Sequence, residues 1–175
     1  MKELTKILAE ATGAIGNGYF RLNIDGGDPI YRERVYCYEL YHQMRSRWPA
    51  ECPFCLNGEI DKAAHPILIE LGADYAKPDL LIHRPGYMTG NHAIIEVKSS
   101  RAPNAGIEKD LRTLSLFRSD VGYERAIYLI YGDEVDDKLV GRIKQAATET
   151  NNLAPIEVWI HQTVGEPALN AFELK

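Results

Sequence analysis

The chain predicts an α/β fold, a mixed sheet flanked by helices. Four short runs rich in Ile, Leu, Val and Tyr read as strands: "DLLIH" at 79–83, "HAIIEVK" at 92–98, "RAIYLIYG" at 125–132 and "IEVWIH" at 156–161. Stretches of helical period separate the last three runs, the alternation of a layered α/β protein. Only the first two runs are joined like a hairpin, so parallel and antiparallel neighbours are both expected.

Length and composition agree with a single globular unit. The chain has 175 residues, 45% hydrophobic and 26% charged, with no internal repeat and no Pro, Gly or Ser linker long enough to divide it. No run is apolar enough to predict a membrane span. "MKELTKILAEATG" reads as an amphipathic helix and not as a basic leader before an apolar run, which gives the cytoplasm as the expected location.

The elements follow in order. "GAIGNGYFRLNIDGGDP" is rich in turn residues, and Asp28 followed by Pro29 predicts a helix start, a carboxylate cap before a proline at the first helical position. That helix is expected over 30–48, ending at Pro49. Cys37, Leu40, Tyr41, Met44 and Trp48 form its apolar stripe; Glu39 lies on the other side with Arg32, Tyr36, His42 and Gln43. Residues 50–65 mix turn signals with short apolar groups and read as loop with room for one short strand. In "GIEKDLRTLSLFR", Ile107, Leu111, Leu114 and Phe117 share one helical face. In "DEVDDKLVGRIKQAA", Asp133 is the expected cap and Val135, Leu139, Ile143 and Ala146 the buried stripe.

Cys37, Cys52 and Cys55 are an odd set with one CxxC pair, and a structural zinc needs four ligands; Cys52 and Cys55 are therefore read as ordinary thiols. Net charge is −5, but unevenly spread. From Lys77 to Arg118 there are seven Lys or Arg against four acids, and after Arg118 ten acids against five bases. A locally basic face on an acidic protein is compatible with a phosphate-bearing partner.

The stretch "KPDLLIHRPGYMTGNHAIIEVKSS", 77–100, carries the chemistry. A hairpin folded symmetrically between Tyr87 and Met88 sets Asp79 opposite Glu96 and Leu81 opposite Ile94. Directly opposed residues share a face, and Glu96 and Lys98 share it too, since side chains alternate with period two. Leu80, Ile82, Ala93, Ile95 and Val97 form the other, apolar face. Facing carboxylates repel, so a sheet that keeps them there is expected to hold a cation. Lys98 alone would make this a charged ladder; a hard divalent ion such as Mg²⁺ is the alternative. An acid two residues before a lysine occurs three times in the chain, but only the copy at Glu96 and Lys98 ends a strand with an Asp-initiated strand upstream.

"PD" at Pro78 and Asp79 followed by "EVK" at Glu96 to Lys98 resembles the PD-(D/E)XK nuclease superfamily, the restriction-endonuclease-like fold. The predicted element order over about 28–131 is similar to its αβββαβ core, with a further helix and strand behind. The resemblance implies Mg²⁺, with Mn²⁺ as a substitute, held by Asp79 and Glu96, with Val97, the residue between Glu96 and Lys98, as a further metal position. It implies that Lys98 orients or activates the attacking water. Many members carry a glutamate on the preceding helix, for which Glu39 is the matching candidate. Lys109 and Arg112 are the candidates for phosphate contact. Some members carry a Gln and a Tyr on the helix after the lysine; "IEKDLRTLSLF" has neither, which sets this chain apart from that branch. His65 and His83, near the hairpin, are weighed as metal ligands and read as packing or surface residues. Ser99 and Ser100 lack a His and Asp pattern for nucleophilic catalysis.

The resulting expectation is a metal-dependent nuclease with a DNA substrate, RNA remaining open, working as a homodimer or within a larger defence or DNA-processing complex. The alternative is a catalytically inactive nuclease-like domain that binds nucleic acid or serves assembly.

Overall fold

The computed structural model describes residues 1–59, 66–70 and 76–175. The first helices are α1 (Leu4–Gly13) and the single turn α2 (Asn17–Phe20), followed by the hairpin of β1 (Leu22–Ile24) and β2 (Gly27–Ile30). Asp28 and Pro29 are thus strand residues and not a helix start. Asp25 and Gly26 make the turn, Gly26 with φ +71, the left-handed backbone that an Asp-Gly hairpin demands. The long helix α3 (Glu33–Ser46) begins three residues later than expected and is followed by β3 (Cys55–Gly58), the short strand for which the sequence left room.

Beyond the short α4 (Pro66–Glu70) come β4 (Leu80–His83), β5 (Asn91–Ser99), α5 (Asn104–Ser119), β6 (Arg125–Tyr131), α6 (Asp137–Glu149), β7 (Ile156–His161) and β8 (Leu169–Leu174). The six strands β3 to β8 form one sheet in sequence order. β5, β6 and β7 are parallel, and β3–β4, β4–β5 and β7–β8 are antiparallel, so the sheet is mixed as expected. β8 had no strand signal of its own in the sequence, because "LNAFEL" is largely exposed and carries little of the apolar alternation of a packed strand.

The hairpin register is the expected one: Leu80 pairs with Ile95, Leu81 with Ile94 and Ile82 with Ala93. One face, with Leu80, Ile82, Ala93, Ile95 and Val97, packs against α1 and α3. The other, with Leu81, Ile94, Tyr128 and Ile130, packs against α5 and α6 through Ile107, Leu111, Leu114, Phe117, Leu139 and Ile143. The face that carries Glu96 is therefore covered by helices as well, which removes it from water.

Two further expectations change. Tyr36, placed on the polar side of its helix, is fully buried: it stacks on Tyr131 with ring centroids 3.9 Å apart, and its hydroxyl lies 2.7 Å from His161 Nδ1. A polar partner in the core makes room for a phenol that periodicity alone sends outward. Asp136, and not Asp133, caps α6 by accepting a 2.8 Å bond from Leu139 N–H. Asp133 instead bonds the Tyr31 hydroxyl and Arg21, tying the β6–α6 loop to the N-terminal hairpin. No helix among the described residues is long and apolar enough to cross a membrane.

Candidate active site

The site lies where β5 outruns its antiparallel neighbour. β4 begins at Leu80, opposite Ile95, so Glu96 to Ser99 continue without a β4 partner. On the other side β6 stays paired through Ser99. Backbone N–H groups left along the vacated edge need acceptors, and two carboxylates supply them. Asp79 Oδ2 accepts from Val97 N at 2.8 Å, and Glu33 Oε1 from Ser99 N at 3.1 Å. The two acids thus repair the sheet edge and are held by it.

Side chains converge at the same place. Glu96 is buried at 7% exposure and hydrogen-bonds the Asp79 carboxyl. Burial, with the negative charges of Asp79 and Asp110, raises the Glu96 pKa well above the usual carboxylate range. Burial also raises that of Asp79, partly offset by the bonds from Val97 N–H and Glu96. Two carboxylates bonded to each other share a proton. Lys98 Nζ lies 3.1 Å from Asp110 Oδ2 and 3.2 Å from Glu33 Oε2. Burial works against its charge, yet Asp110 and Glu33 outweigh burial and hold its pKa above the ordinary lysine range. Asp110, 5% exposed, is itself pushed by burial up to about 6 despite Lys98. Tyr128 pairs with Glu96 across β5 and β6, and its hydroxyl is buried with no hydrogen-bond partner among the described residues.

Asp79, Glu96, Val97 and Lys98 are therefore brought together. Glu39 is not: it accepts from Gln43 Nε2 at 2.6 Å, one helical turn on, while Glu33 in the first turn of α3 reaches Lys98. Lys109 and Arg112 are exposed on α5, with Arg112 3.9 Å from Glu108 on the same helix. His83 Nε2 lies 3.0 Å from Asn57 Oδ1. His65 lies outside the described residues. Cys37 is buried, Cys52 partly buried and Cys55 exposed, and the Cys52 thiol lies 3.7 Å from Met1 Sδ.

Glu33 and Asp110 are the residues that reading the sequence missed. Asp110 carried a signal: it sits three residues after Ile107 and four before Leu114, a lone acid on an apolar stripe. Glu33 carried none, because its role depends on where α3 begins.

Among the described residues no three His, Cys, Asp or Glu side chains form a ready-made metal cage. A magnesium ion does not require one, since it keeps several waters and takes one or two carboxylates with substrate phosphate. Asp79 and Glu96 fit that demand, being hard oxygen donors already close enough to share a proton that a divalent cation would replace. No protein-family model, curated protein or solved structure matches this chain.

Proposed function

We propose that the chain is a magnesium-dependent nuclease that hydrolyses phosphodiester bonds in DNA. The observation that carries this reading is the meeting of Asp79, Glu96 and Lys98 on the unpaired end of β5, with Glu33 and Asp110 setting the charge of the lysine. The order α3, β3, β4, β5, α5, β6, read without the short α4, supports it as the helix, three strands, helix and strand of a restriction-endonuclease-like core.

Asp79 and Glu96 would hold the cation. When bound, it supplies polarisation of the phosphoryl oxygen and neutralises developing charge. Asp79 is oriented for this by Val97 N–H, which occupies one of its lone pairs. Lys98 stays protonated under the influence of Asp110 and Glu33, so it acts as a fixed cation and hydrogen-bond donor toward the phosphate or the attacking water, and not as the base. Asp110 holds the lysine from the α5 layer and Glu33 from the α3 layer.

The test is incubation of the purified protein with plasmid, linear and single-stranded DNA and with RNA, in Mg²⁺, Mn²⁺ or EDTA, beside Asp79→Ala and Lys98→Ala. Metal-dependent cleavage lost in both variants is expected. No cleavage of any substrate, with no Mg²⁺ or Mn²⁺ binding by calorimetry, overturns the reading; DNA binding that survives both substitutions without cleavage marks an inactive binding module.

A further inference from the structure

A pocket of about 430 Å³ opens between α3 and β3 and has Asp79 in its lining. Tyr38 and Tyr41 line one wall, three residues apart on α3 and so on the same side of the helix. Asn57, Gly58 and Glu59 line the other. Tyr38 is 61% exposed, so its ring is open to a ligand.

The lining chemistry narrows the occupant. Glu59 and Asp79 are the charged groups of the wall, and no described lining residue is a cation, so a phosphate or other anion is disfavoured. Two tyrosines offer faces on which a flat neutral ring stacks. Glu59, 3.3 Å from Arg34 and with its side chain 43% exposed, keeps acceptor capacity for an amino group. Its backbone adopts φ 40, an uncommon state for a residue with a side chain, at the mouth of the pocket. Stacking faces with an acceptor, beside a carboxylate proposed to hold the cation, are what an amino-bearing nucleobase requires.

We propose that this pocket receives an unpaired nucleobase of the nucleotide next to the scissile phosphate, so that the DNA acted on is single-stranded at the point of cleavage. The inference rests on the nuclease reading for its substrate. A base in a duplex has both faces stacked and its pairing edge occupied, and it reaches a recess in the protein only by leaving the helix. A strand that is already unpaired enters with no unstacking cost.

Binding separates this proposal from the catalytic one. Fluorescence anisotropy in EDTA compares a labelled 12-nucleotide DNA strand with its duplex, for the wild type, for Tyr38→Ala combined with Tyr41→Ala, and for Gly58→Val. The valine is a second route, because a side chain at Gly58 grows toward Asp79, Leu80 and Tyr41 and fills the recess from the strand side. Thermal melts establish that each variant is folded. The single strand is expected to bind at least about tenfold more tightly than the duplex, the scale of base stacking on an aromatic, with that preference lost in both variants. With Mg²⁺ added, the same variants are expected to raise KM for the single strand more than they lower kcat. Equal affinity for strand and duplex, or a preference that both variants retain, overturns the pocket. Cleavage of strand and duplex alike, unchanged in the variants, overturns it and leaves the nuclease standing; a preference lost in the variants with no cleavage in Mg²⁺ or Mn²⁺ upholds the pocket and sinks the catalytic reading.

Discussion

Lys98 owes its charge to residues from two layers of the molecule, Glu33 on α3 and Asp110 on α5, and burial alone would have weakened it. Asp110 stood out only as an acid on an apolar stripe and Glu33 not at all, whereas Asp79, Glu96 and Lys98 were legible because a hairpin register converts letters into facing pairs. Glu39 and Glu33 are six residues apart on one helix, and only the point at which α3 starts determines which of them meets β5. Glu33→Gln is expected to lower DNA cleavage roughly 10- to 100-fold, the scale of a lost partner to a group at a metal site. Glu39→Gln, whose partner is Gln43, should stay within about twofold of wild type, as a change remote from the site does. Initial rates under saturating Mg²⁺ check both; equal losses would show that the helix register argued here is wrong.

At the level of elements, the decisive fact is that β4 is four residues long and β5 nine. The surplus end of β5 presents N–H groups that side-chain acceptors satisfy, and those acceptors are Asp79, a proposed metal ligand, and Glu33, the partner of Lys98. The apolar faces of the hairpin and of α5 were readable from period, since burial of those residues follows directly from spacing. Caps were less readable: two aspartates, Asp133 and Asp136, stand before α6, and the one that bonds Leu139 N–H is set by the path of the preceding loop. Asp136→Ala should cost about 1 kcal/mol, a fall in Tm of about 3 °C. Gly132 leaves β6 with φ +133, and an added side chain would strike the Ser100 hydroxyl. Gly132→Ala should therefore cost about 2 kcal/mol, seen as a lower urea midpoint with an unchanged slope.

Over the whole molecule, two buried groups on opposite sides of the sheet make stability respond to acid in opposing directions. Burial lowers His161 to about 4, while in the unfolded chain it titrates near 6.5, at about its usual value. Between those values the unfolded state binds a proton that the folded state refuses, so acidification from pH 6.5 to 4 removes about 3 kcal/mol. Burial raises Asp110 to about 6 from an unfolded value of about 4. Across that interval the folded state binds the extra proton, and acidification adds roughly 2 kcal/mol. Asp110→Asn deletes the second effect and leaves that of His161, on the other side of the sheet, in place. Relative to wild type, that variant should lose roughly 2 kcal/mol between pH 7 and pH 4, measured by urea denaturation at both. A difference that does not change with pH would contradict the burial of a titrating carboxyl beside Lys98.

By itself the sequence determined the alternation of strands and helices, the register of the β4–β5 hairpin, its apolar face, and the convergence of Asp79, Glu96 and Lys98. These are consequences of local period and of pairing across one loop, which need no knowledge of distant parts. Only the tertiary structure decided that Glu33 and Asp110 and not Glu39 enclose the lysine, and that a tyrosine-lined pocket has Asp79 in its wall. Each of these depends on contacts between residues far apart in the chain, and on where a helix starts or a strand stops, which packing sets to within a single residue.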